Sequence, residues 1–324
     1  MTGLEHLWKL YLPLVGWVVF GLILGYKLPQ SIPLVLGKFL FWIGVPLSIL
    51  TFLQQADLSA SVWIAPMAAW AAMLLGAGLA WLWVQLHLRL SFFRSPSDRH
   101  HPTQRHYPLQ HPPSQGSFLL AAMVGNTGYL GYPVALALVG PQYFGWAVFY
   151  DTLGSTLGAY GLGVLLAAHY GKTATNQTQF LLALIRNPAL WSFWIGLGLN
   201  QLTLPVAVER GMQGIGWTMV ALSLLLLGMR LSQIRSWGSV QQASISLGIK
   251  MLLVPLVLGL SLSQFGIHGL AQLVIVLQMA MPPAFATLII AEAYDLDREL
   301  TVTTLALGSL LLLLLLPFWL MLFS

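Results

Sequence analysis

Three ionisable side chains, Asp151, Lys250 and Glu292, lie inside stretches that are otherwise hydrocarbon. An ionisable group near a bilayer centre costs at least ~2.5 kcal/mol, so such groups tend to mark the path of a solute or a proton. Lys250 is placed to compensate an anionic substrate or to pair with Asp151, although a long stem can also snorkel its charge to an interface. Asp151 is placed to hold a proton or a cation. Glu292 falls near the end of its stretch, where a cap or a surface role competes with one in transport. A fourth group is uncharged: Asn126, followed by Thr127 and Gly128, supplies an amide that both donates and accepts. Its alternative role is to satisfy backbone exposed by a helix break.

That break is written around it. Gly125, Gly128 and Gly131 each cost roughly 1 kcal/mol in a helix interior, and Pro133 removes the amide that would bond back to Tyr129. The stretch 121–140 is apolar enough for a bilayer yet must form two half-helices. In hydrocarbon, unpaired backbone is tolerated only where it is buried in protein or lines a wet cavity. A second stretch, 278–292, breaks in the same way at Pro282-Pro283. Matching interruptions in the two halves of a chain point to the binding site of a secondary transporter. Asn126, Thr127, Gly128 and Pro133 at one break, with Pro282 and Pro283 at the other, are therefore the candidate substrate-binding residues. A half-helix beginning in the membrane presents free amides and about half a positive charge, which suits a carboxylate.

Stretches near the ~20 residues that cross hydrocarbon fall at 8–26, 33–53, 62–88, 117–140, 143–170, 180–199, 205–231, 240–264, 270–293 and 300–323. Hydrophobic residues make up 57% of the 324 and charged ones 7%, which excludes a soluble domain and leaves an all-α integral membrane protein of ten spans. Cysteine is absent, removing disulfides, thiolate metal sites and cysteine nucleophiles. The first apolar run has no small-residue cleavage site and reads as a retained helix. Lys27, Arg89, Arg94, Arg99, Arg105, Lys172, Arg186, Arg230, Arg235 and Arg298 fall on or beside odd-numbered connections, and even ones offer little beyond Arg210, next to Glu209, placing the odd connections in the cytoplasm and both termini outside. The formal charge of +5 is thus a topology signal and not a nucleic-acid patch.

The halves echo one another. Pro13 precedes Gly21 to Gly25 as Pro188 precedes Gly196 to Asn200; Pro46-Leu-Ser48 answers Ala221-Leu-Ser223; Leu153-Gly-Ser155 answers Leu307-Gly-Ser309. Five spans is an odd number, so a second unit starts on the opposite side of the membrane and the repeat must be inverted, with units 1–170 and 171–324. The polar segment 89–116, rich in Pro, Ser, Gln and His, reads as a disordered cytoplasmic loop. His100, His101, His106 and His111 in it lack the carboxylates or cysteines of a metal site.

The run Gly125-Asn-Thr-Gly-Tyr-Leu-Gly-Tyr-Pro133, the Met281-Pro-Pro-Ala284 segment leading to Ala291-Glu292, and the ten-span layout resemble the auxin efflux carrier family in its prokaryotic form. The resemblance covers essentially the whole chain. It implies a secondary carrier of small organic anions, with a fold similar to the bile acid sodium symporters, in which spans 4 and 9 cross at their breaks. Asn126, Pro133 and Pro282 would lie at that crossing. The long loop of the plant carriers lies between the halves; here it lies between spans 3 and 4.

No hydrolytic or redox constellation competes. Ser48, Ser155, Ser223 and Ser309 have no paired His and carboxylate nearby, and there is no phosphate-binding Gly-rich loop for ATP coupling. The expectation is a non-enzymatic permease of the cytoplasmic membrane, working by alternating access without a cofactor or metal. The rivals are a sodium-coupled symporter or cation/proton exchanger on the same fold, and a membrane sensor or scaffold, which would not need two matched breaks. Expected partners are the organic anion, a coupling proton or sodium ion, the lipid bilayer and, as an open alternative, a second copy of the chain in a homodimer.

Overall fold

The computed structural model describes residues 3–92, 108–171, 177–232 and 239–323. The helices are α1 (Gly3–Lys27), α2 (Ser31–Phe39), α3 (Val45–Leu53), α4 (Ile64–Phe92), α5 (Pro112–Met123), α6 (Tyr132–Leu138), α7 (Phe144–Phe149) and α8 (Val164–Tyr170). The second half holds α9 (Gln177–Ile185), α10 (Pro188–Asn200), α11 (Val206–Leu231), α12 (Val240–Gly248), α13 (Val254–Leu262), α14 (Gly269–Met279), α15 (Phe285–Ala293) and α16 (Arg298–Phe323). The fold is all-helical, with no strand among the described residues. Among the described residues, six helices are long and apolar enough to cross a membrane: Ser31–Leu53, Ser61–Arg89, Phe180–Asn200, Val206–Leu231, Val240–Phe265 and Arg298–Phe323.

Widened π-helical turns occur at Leu40–Gly44, Thr127–Gly131, Tyr150–Thr156, Ala159–Gly163 and Ile249–Leu253. Three of them have a local cause. Pro46, Pro133 and Pro255 each follow such a segment by two residues, and a proline ring collides with the carbonyl four positions before it. Residues 42, 129 and 251 all lie inside the widened turns, where a looser register moves that carbonyl aside. Pro13 and Pro317 sit inside α1 and α16 without a π turn, so proline alone does not enforce one.

The two interrupted stretches form the interior of the molecule. Residues 114–127 and 272–283 are buried throughout, while Trp17, Trp42, Trp63, Trp81 and Trp83 are exposed on the outer helices, as side chains facing lipid would be. Trp146 is buried and serves packing. On the flank, α1 lies against α11 so closely that an added Cβ at Gly21 would strike the Leu225 carbonyl, and one at Gly228 the Val18 carbonyl. Small residues let apolar helices approach in this way where hydrophobic driving force is absent.

Most of the sequence-derived spans coincide with helical stretches to within a few residues. The fourth differs: its helix begins at Pro112, five residues before the expected start, inside what reads as a polar loop. His111 caps it in an extended conformation and the Pro112-Pro113 pair opens it, since proline's missing amide costs nothing in a first turn. His100, His101 and His106 lie outside the described residues.

Candidate functional site

Both interruptions occur where glycine and proline place them, and they meet. The chain leaves helical geometry at Val124 and again after Ala280, and the two extended pieces form an isolated antiparallel bridge between Gly125 and Pro283. The Asn126 amide donates to the Pro282 carbonyl at 2.7 Å, and the Ala284 amide donates to the Val124 carbonyl at 3.1 Å. The Asn126 carbonyl accepts from Leu130 and Gly131 at 3.3 and 3.1 Å, closing the π turn that starts the next half-helix. The freed backbone of each break is thus satisfied largely by the other, as burial in an apolar interior demands.

The backbone and the side chain of Asn126 are thereby separated. The backbone of Asn126 carries the bridge, and among the described residues no hydrogen bond engages its amide group. Asn126 instead lines a cavity of about 380 Å3. Thr127, Gly128 and Asp151 line it too, whereas Pro133, Pro282, Pro283, Lys250 and Glu292 do not. The prolines shape the breaks from behind: Pro282 and Pro283 pack so closely on Gly308 that a Cβ there would lie 2.9 and 3.1 Å from them.

Asp151 sits in the π segment Tyr150–Thr156, where Thr127 donates to its Oδ1 and Tyr132 donates to its Oδ2 at 2.7 Å. Lys250 does not pair with it. The Lys250 ammonium donates to the Met279 carbonyl at 3.0 Å, at the C-terminal end of α14, while its stem packs on Gly125. A cation there meets the negative end of a half-helix dipole, which gives a buried lysine a main-chain partner. Glu292 pairs with Arg298 at 3.0 Å and is about half exposed, the only ion pair among the described residues.

Two cations unassigned by sequence reasoning also line the cavity, Lys38 of α2 and Arg230 in the last turn of α11. The Arg230 guanidinium stacks over the Phe285 ring at 3.5 Å from its centroid, and Gly37 makes room for it: a Cβ there would lie 2.8 Å from Nη2. Phe285 and Ala286, which open α15, line the same cavity and bring that helix's free first amides to it. Nothing local marked Arg230, because its type and place are those of any basic residue flanking a span. Beneath the break, both polar atoms of the buried Gln278 amide are without a hydrogen-bond partner among the described residues, and Gly131 sits against them.

Comparison with known proteins agrees with this architecture. The sequence profile of a family described as membrane transport proteins matches residues 109–320, including both breaks. The chain belongs to that family. It is also similar to uncharacterized transporters of two archaea. The chain is 28% identical over 287 residues to one from Methanothermobacter thermautotrophicus, covering 88% of this chain and 87% of the relative. It is 26% identical over 211 residues to one from Methanocaldococcus jannaschii, covering 63% and 67%. The resemblance to auxin efflux carriers drawn from the two break motifs therefore holds at family level. A multi-pass membrane protein of a transporter family implies a bilayer and a transported solute.

Proposed function

We propose that this transport protein is a secondary carrier that moves a small organic anion, such as a carboxylate, across the cytoplasmic membrane by alternating access. The observation carrying this reading is the cavity itself, which places the Asn126 amide, the first turn of α15 and the Arg230 guanidinium around a space the size of a small metabolite. Arg230 offers the planar fork that fits a carboxylate with two hydrogen bonds. Lys38 adds long-range attraction, and the apolar remainder of the wall, including Leu34, Phe41 and Val45, suits the organic part of such a ligand.

In this reading the chain forms ten spans as an inverted pair of five, 1–170 and 171–324, with the second and seventh spans facing a bundle built on the two crossing helices. Supporting it, each half carries one interrupted helix, and the two interruptions bond to one another. The distribution of Lys and Arg sets both termini outside. By the same rule Lys38 and Arg230 stand toward the cytoplasmic ends of their spans, so the cavity is the inward-open form of the site. The absence of native cysteine makes orientation simple to test with single introduced thiols. In intact cells, an impermeant maleimide should label Gln201→Cys and leave Ser97→Cys unlabelled until the membrane is permeabilised; the opposite pattern would reverse the orientation.

Transport is tested with purified protein in liposomes loaded on one side with labelled mono- and dicarboxylates. Saturable, protein-dependent flux of at least one is expected. Flux of none across a panel that spans the cavity's volume, from a preparation with a cooperative melt, would overturn the reading.

A further inference from the structure

The two breaks differ in how their freed carbonyls are compensated. At the second, the Lys250 ammonium lies on the Met279 carbonyl, a cation fixed to the chain. At the first, the Gly125 carbonyl faces two side-chain hydroxyls. Ser155 Oγ lies 3.4 Å from it and Thr127 Oγ1 3.5 Å from it, and Thr127 Oγ1 also contacts Asp151 Oδ1. All four residues are buried or lie at the cavity wall, and Thr127, Asp151 and Ser155 face that cavity together with Gly125.

We propose that Gly125 O, Thr127 Oγ1, Asp151 Oδ1 and Ser155 Oγ form a binding site for a monovalent alkali cation, sodium, that moves with the anion. This rests on the carrier reading for its role in transport, though not for the binding itself.

Thr127 keeps its hydrogen bond to Asp151 Oδ1, and the two contacts to the Gly125 carbonyl are long enough to leave room for an ion beside it. Separations of 3.4 and 3.5 Å are long for hydroxyl hydrogen bonds, whose mode is about 2.7–2.8 Å. They suit neighbouring ligands of one ion instead: for oxygens at about 2.4 Å, the middle of the range for calcium, which is close to sodium in radius, two ligands at right angles stand about 3.4 Å apart. The charge selects valence. One carboxylate with three neutral oxygens neutralises a single positive charge, whereas divalent sites gather several carboxylates. Among the described residues no basic side chain forms an ion pair with Asp151. The titratable groups around it, from the segments packed against Tyr150–Thr156, are Tyr129, Tyr132, Tyr150 and Tyr160, with Lys250 across Gly125 on the far side of the break and Lys38 and Arg230 elsewhere on the cavity wall. The other Asp151 oxygen is held by Tyr132, which orients the carboxylate and leaves Oδ1 toward the cluster.

The site also has a reason to be coupled to the solute. Asn126 lies between Gly125 and Thr127, so its side chain shares one stretch of backbone with two of the four oxygens. An ion that fixes the carbonyl of Gly125 and the hydroxyl of Thr127 fixes the orientation of the amide between them, and anion and cation each favour the other's binding through that turn.

The test uses full-length protein in detergent, without organic substrate, with sodium chloride, potassium chloride or choline chloride at constant ionic strength. A saturable rise in melting temperature of a few degrees with sodium, absent with choline, is expected. Asp151→Asn should abolish the shift. Ser155→Ala, which removes one neutral ligand and leaves the charge, should raise the half-saturating sodium concentration several-fold and guards against a misfolded Asp151 variant. Melting temperatures that respond to pH and not to sodium would overturn the site in favour of a proton, and a sodium shift that persists in both variants would overturn its location. Liposome uptake separates this from the carrier reading. Carboxylate flux that is equal in sodium and choline, with no sodium shift, overturns the cation site alone. A sodium shift without flux of any carboxylate upholds the site and overturns the carrier.

Discussion

Asn126→Ala is expected to lower carboxylate uptake by about 10- to 100-fold while leaving the melting temperature nearly unchanged. The magnitude follows from losing one hydrogen bond to a charged ligand, worth about 1.5–3 kcal/mol, where each 1.4 kcal/mol is a factor of ten. The unchanged stability follows from the division of labour within the residue. Its main-chain amide holds Pro282 and its carbonyl holds Leu130 and Gly131, and alanine keeps all three bonds. Only the side chain is removed, and no protein group depends on it among the described residues. Uptake at the wild-type rate from equal amounts of protein would remove Asn126 from the binding site. Loss of the cooperative melt would show instead that the amide serves the fold.

Replacing Arg230 should weaken substrate binding by a similar or larger factor, and the pattern across replacements is the sharper test. Arg230→Met takes away charge and hydrogen-bond fork together, so the apparent KM should rise by about 100-fold, at the upper end for a charge-assisted contact. Arg230→Lys keeps the charge yet cannot present two parallel donors or lie flat on the Phe285 ring, so it should recover only part of the loss. A residue that merely flanked a membrane span would be replaced by lysine at no cost, and KM values for wild type and Arg230→Lys that agree within error would assign it that lesser role. Counterflow kinetics at several substrate concentrations read both cases.

The two breaks were legible in the sequence because glycine and proline act locally: Gly125, Gly128, Gly131 and Pro133 disrupt a helix whatever surrounds them. That the two breaks cross was implied by family resemblance, and their direct bonding was not foreseen, since no single-stretch rule pairs residue 126 with residue 282. The start of α5 was obscured by composition, the same Pro-Pro pair serving equally as loop residues or as a first turn. The site residues divide in the same manner. Depth in an apolar stretch singled out Asp151 and Lys250. The partner of Lys250 was hidden, because the Met279 carbonyl is a main-chain atom released by the break and leaves no mark in side-chain chemistry. Arg230 was read as a charge flanking a span and Lys38 was not singled out, and their presence in the cavity depends on how α2 and α11 pack, including the space that Gly37 provides.

The bridge between the two breaks is made of main-chain atoms alone, two amides and two carbonyls. Side-chain exchange cannot erase it, so an alanine scan would pass over the joint of the machine and report only the groups that decorate it. Removing one of its donors takes a backbone edit, such as proline or an ester linkage at position 126 or 284. The same property separates two kinds of inheritance. Side chains that face the cavity from outside the bridge, such as Leu34 and Phe41, can change without removing any of its hydrogen bonds. A lineage built on this joint can therefore change its cargo without rebuilding its frame.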